Sequence, residues 1–338
     1  MAVTIKDVAK KANVSIATVS RALNNKTSQI NDNTRKKIIE IAKELNYRPN
    51  LIARSMKTKK TKIIGFIIPD IENPFFPKLA RRVEQMLKEK GYNTILCNTD
   101  GDENKELEYF DLLMEKHVDG IIYTNISMNI NKEILSIIKS QNPPIVLLDR
   151  HLLDLNINVN SVYLDNEFAG YIATKHLIKL GHKNIACITG PKGIVSSKER
   201  LNGYIRAHQE SGLNVNKNYI VTGDYKIEGG YKGAKKILQN REITSIFAFN
   251  DLMALGVYEA SLEKNIKIPN DLSVVGIDNL EFSKMLNPKL TTIEQPLDEM
   301  GLLSAKLLLN QIKNKNSLFE NVDFSPELII RDSTDKII

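Results

Sequence analysis

The chain has 338 residues, 42% hydrophobic and 26% charged, with two cysteines and a net charge of +7. That is ordinary globular composition and enough length for two or three domains with real cores. Cys97 and Cys187 both lie in apolar runs and read as buried small hydrophobes, which excludes a disulfide framework or a cysteine metal site.

The charge is unevenly placed. The first 62 residues hold 15 Lys and Arg against 4 Asp and Glu, whereas the other 276 hold 32 against 36. A net +11 module therefore precedes a net −4 body. A phosphate backbone is attracted to such a module through counterion release, while a solvated basic tail is the dull alternative. The start, Met1 to Asp7, lacks the apolar stretch of a signal peptide, and no apolar run reaches a membrane span of roughly 18 residues. A cytoplasmic location and no membrane partner are expected.

In chain order, Thr4 can cap a helix with Asp7 three residues on, followed by one stripe of Ile5, Val8, Ala9 and Ala12 ending near Asn13. Ser15 is a second cap, opening a helix to about Leu23. Thr34 to Leu45 is a third, with Ile38, Ile41, Ala42 and Leu45 inward. The tight turn at Ala12-Asn13-Val14 makes this a helix-turn-helix, whose second helix enters the major groove of DNA. Val14, Val19 and Leu23 must face the core, which leaves Ile16, Ala17, Ser20 and Arg21 to read bases. Ile16 and Ala17 can discriminate only by shape and thymine-methyl contact, while Arg21 can engage guanine or a phosphate. Pro49 suits the first turn of a short helix over Asn50 to Met56. Seven residues cannot hold a helix alone, and Lys57 to Lys62 reads as a linker.

From Ile63 apolar strand runs alternate with helices. The clearest strands are Ile63–Ile68, Thr94–Cys97, Gly120–Tyr123, Ile145–Leu148, Ile185–Thr189, Ser245–Phe249 and Ser273–Ile277. Helical stretches include Lys78–Lys90, Asn166–Leu180, Glu228–Leu238 and Asp251–Lys264. This rhythm predicts two doubly wound parallel sheets, with ligands outside the carboxyl ends of the strands. There stand Asn73, Phe75, Phe76, Asp149, Arg150, Arg200, Tyr225, Asn250, Asp278 and Gln295. Aromatic faces with carboxylate, guanidinium and amide groups suit a sugar, whose C–H faces stack and whose hydroxyls each need a donor and an acceptor. Singly, Asn73 can equally cap a helix, Asp149 end a strand and Phe76 fill core.

Val3-Thr4-Ile5-Lys6-Asp7-Val8-Ala9-Lys10-Lys11-Ala12-Asn13-Val14-Ser15 and Ala17-Thr18-Val19-Ser20-Arg21 resemble the DNA-binding signature of the lactose/galactose repressor family. The likeness continues through Leu45-Asn46-Tyr47-Arg48-Pro49-Asn50 and Ala53-Arg54-Ser55-Met56. The loop from Asn24 to Asn33 departs from it by one extra residue. The resemblance implies operator contacts by Thr4, Ser15, Ile16, Ala17, Thr18, Ser20, Arg21 and Asn24, and by Asn50, Ala53, Arg54 and Met56 of a hinge helix. That hinge folds when two subunits lie side by side on DNA, and Met56 takes the place of the family's minor-groove leucine wedge.

The resemblance also implies an organisation: helix-turn-helix domain 1–48, hinge helix and linker 49–62, and a core 63–338 like the periplasmic sugar-binding proteins. The core divides into an N-subdomain, about 63–161 and 293–322, and a C-subdomain, about 162–291 and 324–338. Its pocket positions look most like those of ribose-binding proteins. Two phenylalanines sandwich the pyranose near a third aromatic, here Tyr225, and the polar residues hydrogen-bond its hydroxyls. The expectation is a homodimeric repressor on a pseudo-palindromic operator, released by a pentose such as D-ribose. The alternative is a relative answering another sugar or, like the catabolite-control regulators, a phosphorylated carrier protein. Catalysis is not expected: Gly229-Gly230-Tyr231-Lys232-Gly233 is no dinucleotide fingerprint, a phosphate loop and a nucleophile elbow are missing, and His176 and His182 are poorly spaced for a metal. No cofactor and no metal are expected.

Overall fold

The computed structural model describes residues 3–23, 30–47, 60–128, 130–152, 157–314 and 316–337. The chain divides into two compact units, Met1–Thr61 and Lys62–Ile338.

The smaller unit contains α1 (Ile5–Ala12), α2 (Ile16–Leu23) and α3 (Asp32–Glu44). The Thr4 N–H and hydroxyl each donate to one Asp7 carboxylate oxygen at 2.8 Å, closing the first turn. These hydrogen bonds hold the Asp7 carboxyl below its ordinary pKa. Asn13 takes the left-handed conformation at φ 55°, and the Val14 N–H turns back to the Ala9 carbonyl at 3.1 Å. Ser15 Oγ then accepts the Thr18 N–H at 3.1 Å and starts α2. The third helix begins two residues earlier than its apolar pattern predicts. Asn31 is the true cap, because its side chain accepts the Asn33 N–H at 2.9 Å. Val8, Ala9, Ala12, Val19, Ala22, Ile38, Ile41 and Ala42 form the core, with Val14, Leu23 and Leu45 packed at its edge.

The larger unit has two six-stranded sheets. The first contains β1 (Ile63–Ile68), β2 (Asn93–Asn98), β3 (Gly120–Tyr123), β4 (Ile145–Asp149), β5 (Asn160–Leu164) and β11 (Asn321–Phe324). Its order is β11-β5-β4-β3-β1-β2, all parallel. The second contains β6 (Ile185–Thr189), β7 (Ile220–Thr222), β8 (Ser245–Ala248), β9 (Ser273–Ile277), β10 (Thr291–Glu294) and β12 (Glu327–Ile329). Its order is β12-β10-β9-β8-β6-β7, with only β12 antiparallel. Every residue of β4, β6 and β9 is buried, as expected of parallel strands covered on both faces.

The chain crosses between these lobes after β5, after β10 and after β11. The helix Leu297–Lys313, here α11, returns to pack on β3, β4 and β5 of the first lobe. The subdomain boundaries expected near 161 and 293 would cut through β5 and β10. The backbone ladders decide otherwise: Leu164 pairs with Phe324 in the first sheet, and Glu294 with Glu327 in the second. The same pairing keeps β11 in the first lobe as far as Phe324. Among the described residues no helix is long and apolar enough to cross a membrane.

Candidate functional site

The cleft between the lobes is lined by Asn73, Phe75, Phe76, Asp149, Arg150, Ser196, Arg200, Tyr225, Asn250, Asp278 and Gln295. Its empty space, counted together with adjoining open solvent, is about 290 Å³. All ten candidate effector residues of the sequence meet here, and Ser196 joins them. From the first lobe, Asn73 and the phenylalanines follow β1, and Phe75 opens the helix Phe75–Glu89, here α4. Asp149 ends β4 and Arg150 follows it. From the second lobe, Ser196 and Arg200 lie on the helix Val195–Glu210, here α8. Tyr225 follows β7, Asn250 caps the helix Asp251–Glu263, Asp278 follows β9, and Gln295 starts the crossing after β10.

Local chemistry explains these positions. The Phe75 N–H donates to Asn73 Oδ1 at 3.0 Å, so Asn73 shapes the turn and faces the cleft at once. The Phe75 and Phe76 rings meet edge to face at 4.9 Å and 87°. Asn250 donates to the Tyr225 carbonyl at 2.9 Å while accepting the Met253 N–H at 2.9 Å. Gln295 Nε2 donates to Asp278 Oδ1 at 2.7 Å. Arg200 donates through Nε to Asn166 Oδ1 at 2.8 Å and through Nη1 to the Phe249 carbonyl. Its helix is seated by close backbone contact, since a Cβ on Gly170 would lie 2.1 Å from the Arg200 carbonyl oxygen. Arg150 donates to the Asn125 carbonyl at 2.9 Å and lies 3.6 Å from Asp149 Oδ2.

Two features set this cleft apart from an ordinary buried polar cluster. Asp149, Tyr225 and Asp278 all have positive φ, at 74°, 65° and 119°. Such strain in non-glycine residues persists only where the surroundings enforce it, and it concentrates at working sites. Second, the carboxyls are costly to ionise. Burial raises the Asp149 pKa against the pull of Arg150 and Arg200, and it pushes Asp278 up to about 7 against Arg200 and the Gln295 hydrogen bond. Buried Arg150 Nε and Gln295 Oε1 have no hydrogen-bond partner within the protein. The cleft therefore presents carboxylates, guanidinium groups and amide atoms facing three aromatic rings, the complement of a small polyhydroxylated ring.

Ser196 was not foreseen, because a serine one residue into a helix carries no distinguishing pattern. Its Oγ lies 3.4 Å from the Tyr225 hydroxyl, giving that hydroxyl a neighbour. A Cβ on Gly190 would lie 2.2 Å from the Tyr225 ring, so glycine there makes room for the larger aromatic. Other polar groups brace the fold around the cleft. Asp251 accepts the Leu280 N–H at 2.8 Å and the Thr292 hydroxyl at 2.6 Å, fixing the turn beside Asp278. His176 bonds the Thr334 hydroxyl at 2.9 Å, and His182 bonds Thr244 Oγ1 at 2.9 Å. Among the described residues no group of three or more His, Cys, Asp or Glu could hold a metal ion.

In the smaller unit Ile16, Ala17 and Arg21 are exposed on α2, and Ser20 is half-buried. Ser15 and Thr18 are tied to each other at 2.9 Å, and Thr4 is engaged with Asp7. Asn24, Asn50, Ala53, Arg54 and Met56, with the whole hinge helix, lie outside the described residues.

The family model for periplasmic binding proteins and the sugar binding domain of the LacI family matches residues 61–330. That for bacterial regulatory proteins of the lacI family matches residues 4–50. The HTH-type transcriptional regulator DegA of Bacillus subtilis (strain 168) is 39% identical over 99% of this chain and 98% of its own. The ribose operon repressor of Halalkalibacterium halodurans is 39% identical over 98% of this chain and 97% of its own. Among solved structures, the lac repressor dimer bound to operator and the anti-inducer ONPF superposes with a TM-score of 0.87 at 26% identity, covering 99% of this chain and 100% of that one. A LacI family transcriptional regulator from Enterococcus faecium with bound ribose gives 0.74 at 32% identity, covering 82% of this chain and 100% of that one. The basic helix-turn-helix module, the two-lobed core and both family matches make one conclusion: the chain belongs to the LacI family of bacterial transcriptional regulators.

Proposed function

We propose that the protein is a homodimeric repressor of a carbohydrate-utilisation operon, released from a pseudo-palindromic operator when a pentose, D-ribose, enters the cleft. The observation that carries this reading is the convergence in one cleft of Phe75, Phe76 and Tyr225 with Asp149, Arg150, Arg200, Asn250, Asp278 and Gln295. Whole-chain identity does not choose the effector, because DegA and the ribose operon repressor are equally similar. The cleft chemistry and the ribose in the Enterococcus faecium relative favour ribose over a carrier protein. Exposed Ile71 and Leu96, the latter on the open edge strand β2, offer apolar surface for a second copy. Two-fold pairing places two recognition helices on mirrored half-sites.

Ribose acts through different affinities for two arrangements of the lobes, with a coupling of about 1–3 kcal/mol, roughly 5- to 150-fold in operator affinity. The test is titration of operator with the full chain at fixed salt, with and without D-ribose. Weakening within that range supports the reading, and an unchanged dissociation constant overturns it. Calorimetry separates the alternative, since a carrier-directed regulator gives no heat with free sugar.

A further inference from the structure

Beside the cleft, but outside its lining, one titratable side chain joins the two lobes. His151 follows Arg150 at the end of β4. Its Nδ1 lies 2.8 Å from Glu199 Oε1, and its Nε2 lies 3.0 Å from Asp323 Oδ1. Glu199 stands on α8 of the second lobe, one residue before Arg200, and Asp323 stands on β11 of the first. The imidazole packs against the Tyr163 ring of β5, with centroids 3.9 Å apart and planes tilted by 48°. A neutral imidazole has one N–H, whereas here both ring nitrogens face carboxylate oxygens, so the arrangement calls for the doubly protonated ring. Glu199 is half-buried, and its other oxygen, Oε2, is buried without a hydrogen-bond partner, so among the described residues the imidazolium is the group that answers this carboxylate. Close by, the Met128 N–H of the first lobe donates to the Gly193 carbonyl of the second at 2.9 Å, so the lobes are in contact along this rim.

We propose that His151 is a positioning residue for effector binding: as an imidazolium it bridges Glu199 to Asp323, holds α8 with Ser196 and Arg200 against the first lobe, and makes closure of the cleft a proton-linked step. The effector itself rests on the function proposed above, but the bridge does not. The groups facing the ring are Glu199 from α8, Asp323 from β11 and Tyr163 from β5, with Asp149 and Arg150 on its own strand end. Burial alone would lower the His151 pKa, and the two carboxylates reverse that and raise it. The sign follows. The bridge is at full strength below the ordinary imidazole pKa of about 6.5 and is lost as pH rises through the raised value.

The test uses the full chain with nitroxide labels at Glu115→Cys and Lys217→Cys, exposed positions in the first and second lobes. Cys97 and Cys187 are buried and stay unlabelled. Without any sugar, the short inter-lobe distance is expected to be at least about threefold more populated near pH 6 than near pH 8.5. In His151→Gln and in Glu199→Gln this difference disappears, and the double variant behaves like either single one. A parent whose distances ignore pH, or variants that titrate like the parent, overturns the proposal. Calorimetry with D-ribose adds a second arm. The ratio of His151→Gln to parent Kd is expected to be at least about threefold near pH 6 and to fall to about 1 near pH 8.5. Asp278 titrates in both proteins and cancels in this ratio, and His151 is the smallest of the influences on Asp149, so its loss changes that term little. A constant ratio overturns the positioning role, whereas no heat with ribose in either protein sinks the effector reading and leaves the distances to judge the bridge.

Discussion

The two surfaces on which this regulator works are built in opposite ways. On α2 the groups available to DNA stand in water: Ile16 is 45% exposed, and Ala17 and Arg21 are exposed beside it. In the cleft Asp149, Arg150, Arg200, Asn250, Asp278 and Gln295 are all less than 9% exposed and bonded to one another or to backbone. In the smaller unit positive φ falls on Asn13 and Asn46, in helix-ending turns that asparagine tolerates. In the cleft it falls on two aspartates and a tyrosine. The difference teaches that a nucleic-acid face can be assembled from separable exposed contacts, because DNA supplies the organising charge. A small neutral ligand supplies none, so the protein must organise the polar groups beforehand and bear the desolvation itself.

The sharpest way to break this contrast is Arg200→Ala. It leaves the Asn166 side chain and the Phe249 carbonyl without their donor and takes a cation from beside Asp149 and Asp278. Truncating one member of a buried charged pair costs about 2–5 kcal/mol. Ribose response is therefore expected to vanish in calorimetry while operator affinity stays within about twofold, because the hydrogen-bond partners of Arg200 all belong to the larger unit. Loss of both would make Arg200 part of the fold rather than of the effector site. Next comes Arg21→Ala on the exposed face. If it contacts guanine or phosphate, operator affinity falls about 10- to 100-fold, with the melting temperature of the core unmoved. A drop confined to non-specific DNA would remove Arg21 from base reading.

What was legible in the sequence follows the same divide. Ile63–Ile68, Gly120–Tyr123 and Ile185–Thr189 could be read as strands because burial on both faces demands unbroken apolar runs. The ten cleft residues were legible because residues at the carboxyl ends of parallel strands line the cleft of such a fold. β11, whose sequence Asn-Val-Asp-Phe is half exposed at a sheet edge, and the three-residue β7 carry no such signature. The lobe crossings were displaced by a few residues because hydrogen-bond ladders, not composition, decide where a strand belongs. His151 was invisible altogether: its partners lie 48 and 172 residues away, and only the folded topology brings them together.

A smaller effect sharpens the claim that the cleft bears its own desolvation. Asp278 has a pKa raised to about 7, chiefly by burial. A carboxyl whose folded pKa lies above its unfolded value favours the folded state while protonated. That stability is present below about pH 4 and is lost as pH rises toward 7. Asp278→Asn keeps an acceptor for Gln295 and tolerates φ 119° no worse. It is expected to melt about 2–5 °C higher than the parent near pH 8 and no higher near pH 4, while losing ribose affinity. Equal melting curves at both pH values would mean that water reaches the carboxylate and the cleft bears little.

The smallest expected effect tests the other side. Ser15 accepts the Thr18 N–H at the start of α2, and its hydroxyl also meets Thr18 Oγ1. Removing such a cap costs about 1 kcal/mol. If the DNA face is assembled from separable contacts on a modest three-helix core, Ser15→Ala should lower the helicity of the smaller unit on heating and weaken operator binding about fivefold, with the pH dependence of the cleft untouched. The full chain reports both at once, by amide hydrogen exchange on α2 and by ribose titration. Faster exchange confined to α1, α2 and α3 keeps the two surfaces energetically separate. Faster exchange around α8 as well would show that the units are coupled without DNA, and the contrast between an exposed, additive face and a self-organised cleft would have to be abandoned.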